Sequence, residues 1–262
     1  MNIGQFALIK KDIRGITSNK QIFAVLLIVP LVLTIDLQKI FVHVISLAPD
    51  AASDFQKLLD MLHVPDGEYS QQQRILGLIL NNIMPPFFLI IPIMASSVMA
   101  ASSFVGEKEK HTLETLLYSP LSLRQLFQSK ILAGLSVGMM VSYSSFAAML
   151  LVVEMEVFFL TGNLLLPAAS WLAIMLLIAP AISLVAIAVT VRSSAMAQTI
   201  EEGLQRAVFL IFPILALLIG QFTGIILISA GLLWGVGIVL AVLAILLVNG
   251  AAGNFTYEKL LK

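Results

Sequence analysis

Residues Glu107 to Lys130 read EKEKHTLETLLYSPLSLRQLFQSK, the longest polar, patterned interruption in a chain that is otherwise almost continuously apolar. Thr112 is placed to cap a short helix, with Glu114 in its first turn, where a carboxylate complements the helix dipole. Leu113, Leu116 and Leu117 then share one face. Ser119 and Pro120 stop that helix. Ser122 followed by Gln125 forms a capping box that opens a second helix, with Leu121 and Leu126 spaced for a hydrophobic staple. Two short helices meeting at Pro120 make an elbow over 106–130. Its two caps and its leucine face read as a surface built to be touched rather than as a solvated loop.

The rest of the chain says where that elbow sits. A hydrophobic fraction of 59%, a charged fraction of 11% and a mean hydropathy of +1.00 lie far from a soluble domain, in which about a quarter of residues are charged. The fold class is therefore all-α integral membrane protein. The net charge of zero gives no nucleic-acid footprint. With no cysteine, disulfides and thiolate metal sites are excluded, and His43, His63 and His111 show no zinc spacing.

Upstream of the elbow, residues 1–20 hold Ile3, Phe6, Ala7, Ile9, Ile13 and Ile16 on a rough helical stripe, with Lys10, Lys11, Asp12 and Arg14 between them. The pattern fits an interfacial helix, and equally a basic tail that only orients the first span. The first span is 22–47, with Pro30 inside it and Asp36 and Lys39 three apart, on one face, towards its far end, where they read as a pair near the far headgroups or as part of a pathway. Residues 48–74 form a short polar cap. The second span, 75–105, carries Pro85, Pro86 and Pro92, which should kink it. It also carries Asn81 and Asn82, amides that need partners in lipid. Its last turns, from Ala95 to Ser103, are rich in small residues that let another helix approach.

Downstream, 131–153 is the third span, with Gly134 and Gly138 at small-xxx-small spacing and Glu154 and Glu156 closing it. The fourth is 168–191, kinked at Pro180. Residues 207–248 amount to roughly 63 Å of helix, enough for two crossings. They divide into spans at 207–220 and 231–249, with a short re-entrant segment before the sixth span. Lys and Arg number four before the first span, four in the elbow, two in the fourth-to-fifth connection and two in the tail, against only Lys57 and Arg74 in the outer loops. By the positive-inside rule both termini and the elbow are cytoplasmic.

The elbow resembles the cytoplasmic signature of the ABC-2 type membrane subunits of ABC transporters: an acidic-basic-acidic run, Thr-Leu-Glu, a leucine pair, a Ser-Pro-Leu-Ser turn and a lysine opening the third span. Glu107, Lys108, Glu109, Thr112, Leu113, Glu114, Leu116, Leu117, Ser119, Pro120, Leu121, Ser122 and Lys130 carry the match, while His111 stands where the family usually has Gly. The resemblance implies a permease half that pairs with a second permease, as homodimer or heterodimer, and rests on cytoplasmic ABC ATPase subunits. The residues offered to that ATPase are Glu107, Glu109, Thr112, Leu113, Glu114, Leu116, Leu117, Pro120, Leu121 and Arg124. The chain lacks a G-x-x-x-x-G-K-[ST] loop, so ATP and Mg belong to the partner, and this chain binds no cofactor itself.

Asn81, Asn82, Phe209 and Phe212 are candidates for the translocation path, and phenylalanines with no mid-membrane charge favour an amphiphilic cargo. Two alternatives stand beside transport. One is a membrane anchor or receptor for a cytosolic partner. The other arises because Glu201, Glu202 and Arg206 resemble the first motif of CPBP-type intramembrane proteases, although no histidine follows to serve such a site.

Overall fold

The structure, a computed structural model, describes residues 2–47, 71–110, 112, 115, 118–162, 167–194, 199, 202, 205, 209–222 and 230–253. Their regular structure is entirely helical. Helix α1 is Ile3–Ser18 and α2 is Lys20–Leu47. Asn2 opens α1, its N–H donating to Gln5 Oε1 at 2.9 Å. Asn19 opens α2, accepting from the Ile22 N–H at 3.3 Å. Between these two asparagine-led starts the axis turns by 80°.

Prolines set the next two elements by one shared device. Helix α3 (Gln71–Leu78) runs through a π-turn at Ile79–Ile83 into α4 (Met84–Phe88) and, past Leu89, into α5 (Ile90–Glu109). Pro85 and Pro86 lie in the first turn of α4, where the missing N–H costs least. Widening the preceding turn clears the proline rings. In π register the Leu80 carbonyl would be served by Pro85, which has no N–H. The Trp171 indole donates to it instead, at 3.2 Å. The same arrangement recurs where α7 (Ser170–Ala173) passes through a π-turn at Ile174–Ile178 into α8 (Ala179–Ser194), ahead of Pro180.

Helix α6 spans Leu123–Thr161 and, at 39 residues, is roughly 58 Å long. It corrects two expectations. The second elbow helix is not separate: Ser122 and Gln125 cap each other as expected, at 3.0 and 3.3 Å, but the helix they start continues unbroken into the membrane. Glu154 and Glu156 do not end the helix either. The helix passes them and stops at Gly162, whose φ of +72° is the left-handed conformation that glycine adopts without strain.

Helices α9 (Ile211–Phe222) and α10 (Ala230–Gly253) complete the order. At 12 residues α9 measures roughly 18 Å, shorter than a hydrocarbon core of about 30 Å. The re-entrant segment expected between α9 and α10 falls on 223–229, outside the described residues, as do 48–70 and the tail from 254.

Among the described residues, Arg74–Glu109, Leu123–Phe159, Ser170–Arg192 and Gly231–Ala251 are long and apolar enough to cross a membrane, and the number rises to five if Ile3–Ser18 and Lys20–Asp36, bent against each other, count as one span. The protein is thus a multi-pass membrane protein. The small-residue patterns pack as anticipated: Ala95, Ser96 and Ala101 are fully buried, and a Cβ added to Gly138 would lie 2.0 Å from Ser96 Oγ. Side chains there are small so that the α5 and α6 backbones can touch. Near the opposite end, Trp171, Phe88 and Phe146 form an aromatic knot, with ring centroids 5.0–5.8 Å apart.

Candidate functional site

At the elbow end, three helices bring charge into the protein interior. The buried face of α1 is Gln5, Leu8, Asp12 and Ile16. Successive members are three or four residues apart, so one stripe places Asp12 against the bundle. Ile3 and Phe6, expected in the apolar stripe, point outward instead. The expected stripe is thus rotated, and Asp12 leaves the polar face assigned to it. From the last turns of α5 come Ser103, Phe104 and Glu107; from the second turn of α6 comes Lys130.

Lys130 is the hub, its side chain only 3% exposed. Its ammonium donates to the Ser103 carbonyl and to Ser103 Oγ at 3.0 Å. It lies 2.8 Å from Glu107 Oε2, an ion pair whose angle is not that of a hydrogen bond, and 3.6 Å from Asp12 Oδ2. The Phe104 ring centroid is 5.2 Å away, a cation–π contact. Ser103 Oγ donates in turn to Asp12 Oδ2 at 2.7 Å. Lys11 donates to Glu107 Oε1 at 2.8 Å from the solvent side. Two cations thus face two carboxylates, and the Ser103 hydroxyl links Asp12 to Lys130, while Glu107 Oε2 is held by charge alone.

The Lys11 ammonium is held above the ordinary lysine pKa. Partial burial opposes its charge, but the Glu107 hydrogen bond and the charges of Glu107 and Asp12 outweigh that. Beside the cluster lies a cleft of about 280 Å³, whose walls include Lys11, Asp12, Gly106, Glu107, Lys110 and Thr112.

The elbow's own residues are partly visible. Thr112 closes α5, its N–H and its hydroxyl both donating to the Glu107 carbonyl, at 2.9 and 3.3 Å; the short helix it was expected to cap falls largely on residues outside the described ones. Leu121 lies over α1, with its Cδ2 3.1 Å from where a Cβ on Gly4 would stand. Glu109, Pro120 and Arg124 are exposed, as is Tyr118. His111, Leu113, Glu114, Leu116 and Leu117 lie outside the described residues. The elbow is therefore braced from one side by α1 and from beneath by the ion cluster, with Glu109, Pro120 and Arg124 left facing outward.

The other candidates do not converge on one place. Asn81 Oδ1 accepts from the Ala168 N–H at 2.7 Å, pinning the approach to α7, and Asn82 also has a partner. Phe209 and Phe212 are exposed, their ring centroids 6.0 Å apart. Glu201 and Arg206 of the protease-like motif lie outside the described residues; Glu202 is exposed, its N–H donating to Thr199 Oγ1. Among the described residues no group of His, Cys, Asp or Glu could hold a metal ion.

Sequence reasoning singled out Glu107 and Lys130 but missed Lys11, Asp12 and Ser103 as their partners. One signal was present: Leu8, Asp12 and Ile16 are four apart, so a buried Leu8 and Ile16 would carry Asp12 inward. Against known families, residues 6–229 match the model described as ABC-2 family transporter protein. Neither a curated protein nor a solved structure matches the chain.

Proposed function

This chain belongs to the ABC-2 family of transporter proteins, and from that premise we propose that it is the permease subunit of an ATP-binding-cassette exporter, coupled through 106–130 to separate ATPase subunits. The observation that supports this reading is the buried cluster of Asp12, Ser103, Glu107 and Lys130. It joins the interfacial helix to the two legs of the elbow. A force applied to the exposed elbow by a closing ATPase pair is then passed to α1, α5 and α6 together.

In this reading six spans cross the membrane: α2, the 71–109 element, α6, the 170–194 element, α9 with the re-entrant residues that follow, and α10. The Lys and Arg asymmetry supports a cytoplasmic position for both termini and the elbow. ATP and Mg bind the partner, and no residue here performs chemistry. Two permease halves alternate access to a path between them, and Phe209 and Phe212 favour an amphiphilic cargo.

The test is co-purification with a native ATPase subunit, followed by Leu116→Asp or Leu117→Asp. Loss of ATPase stimulation with expression intact supports the elbow as the coupling element. Unchanged stimulation would remove that role, and a purified complex with no ATP hydrolysis would favour a membrane anchor for a cytosolic partner.

A further inference from the structure

The cleft beside the ion cluster carries a charge that its own walls do not cancel. Lys11 and Lys110 on its walls, with Lys130 behind them, set three ammonium groups against the two carboxylates of Asp12 and Glu107. Lys130 is engaged by both carboxylates from inside the bundle. The Lys11 ammonium uses one of its three N–H groups on Glu107 and keeps two. Lys110 is exposed and forms no ion pair among the described residues. One monovalent anion makes the site neutral.

The shape of the cleft narrows the choice of anion. Lys11 faces Glu107 and Asp12 faces Ser103, so a step forward along α1 is a step back along α5. The cations therefore lie at the elbow end, and Ile16 and Met99, both buried, lie at the other. Ile16 comes three residues before Asn19, where the chain bends into α2, so the apolar end is the one nearer the first span. Between the two ends Ser102 brings a hydroxyl, and Gly15 and Gly106 line the walls without side chains. A Cβ on Gly15 would meet nothing within 4 Å, so protein leaves that space open. At about 280 Å³ the cleft falls just below the range of pockets for drug-sized ligands, about 300–1,000 Å³. It suits a small anionic group attached to something apolar on one side.

We propose that this cleft binds the phosphodiester of an anionic phospholipid from the leaflet on which α1 lies, Lys11 and Lys110 donating to the phosphate oxygens while the glycerol and acyl chains leave past Gly15 and Ile16. Basic pockets beside membrane-spanning helices on the cytoplasmic side are recurrent sites for anionic headgroups. Ile3 and Phe6, exposed on α1, are the side chains that such a helix sets among the acyl chains. The bound lipid bridges α1 to the last turn of α5, so leaflet composition acts on the root of the elbow. The inference rests on α1 lying on a leaflet and not on transport, so it can fail while ATPase coupling stands.

The probes are phosphatidylglycerol, phosphatidylcholine and inorganic phosphate, added to the full chain with its ATPase in a neutral detergent and followed by native mass spectrometry. Phosphatidylglycerol should bind saturably, one molecule per chain, whereas phosphatidylcholine, whose own cation cancels its phosphate, should not. Lys110→Gln should weaken that binding about fivefold, the effect of one basic residue beside an anionic surface. Gly15→Leu should abolish it, since the new side chain occupies the cleft; its Cβ meets no protein atom and leucine is the better helix former, so the fold is retained. Lys10→Gln, the same charge change at an exposed position of α1 outside the cleft, should leave binding intact. Saturable binding that persists in Gly15→Leu, that is matched by phosphatidylcholine, or that falls as far in Lys10→Gln as in Lys110→Gln overturns the site in favour of general attraction to a basic surface. Displacement of the lipid by an equal concentration of inorganic phosphate overturns the lipid assignment and leaves a site for the free ion.

Discussion

Replacing Lys130 with Met removes the charge at the centre of the cluster while retaining a long apolar stem over Phe104. With an effective dielectric near 20, the attractions to Glu107 at 2.8 Å and Asp12 at 3.6 Å are each roughly 5 kcal/mol gross. Much of that is offset in the native protein by the desolvation of Lys130 itself, which the substitution also removes. What remains is the penalty for two carboxylates left buried without their shared cation, about 3–5 kcal/mol when one member of a buried pair is deleted. Lys11 still neutralises Glu107 and Ser103 still donates to Asp12, so the expected loss lies at the lower end, about 3 kcal/mol. Heat unfolding in nanodiscs should show it. Adding Asp12→Asn and Glu107→Gln to Lys130→Met should recover most of the loss, because neutral isosteres remove the stranded charge. If Lys130→Met unfolds within about 0.5 kcal/mol of the parent, the behaviour of an ordinary surface position, the cluster does not hold α1 to the elbow.

Three further outcomes follow from the same geometry. Gly237→Ala places a Cβ 2.6 Å from Leu177 Cδ2 and should destabilise by about 1–3 kcal/mol in the same unfolding assay; Gly235→Ala, with open space around it, should instead be neutral or slightly stabilising. Trp171→Phe keeps the aromatic packing but strands the Leu80 carbonyl, for about 1–3 kcal/mol, and protection of the amides around the π-turn should fall in hydrogen exchange. Lys11 has its pKa raised on folding, so its contribution is complete below the unfolded value of 10.5 and is lost as pH rises through the higher folded value. The melting temperature of the parent should therefore fall more steeply than that of Lys11→Gln above about pH 10.5. The Lys11 side chain is 59% exposed, so the difference should be small and weakened by salt.

Helix ends and local breaks were legible because the groups that make them are neighbours in the chain. Ser122 and Gln125 need only three residues to find each other, and Pro85, Pro86 and Pro180 act on the turn before them. Gly162 was overlooked as a terminator because the acidic pair before it looked like the boundary. Yet glutamates are tolerated within a helix, whereas only a residue at home with positive φ ends one this way.

Apolar content and charge placement therefore determined by themselves that this is a multi-pass helical membrane protein with a patterned elbow, and the elbow's residues pointed to its family. Partner choice across the bundle required the tertiary structure. Gly138 announces a close approach, but that it meets Ser96 depends on how α5 and α6 cross. Asp12 sits among basic residues and reads as part of a solvated face. Only the docking of α1 turns it inward to Ser103 and Lys130, respectively 91 and 118 positions away. Local patterns report the few residues within reach of one helical turn, whereas a buried charge is stabilised by whichever opposite charge packing brings to it.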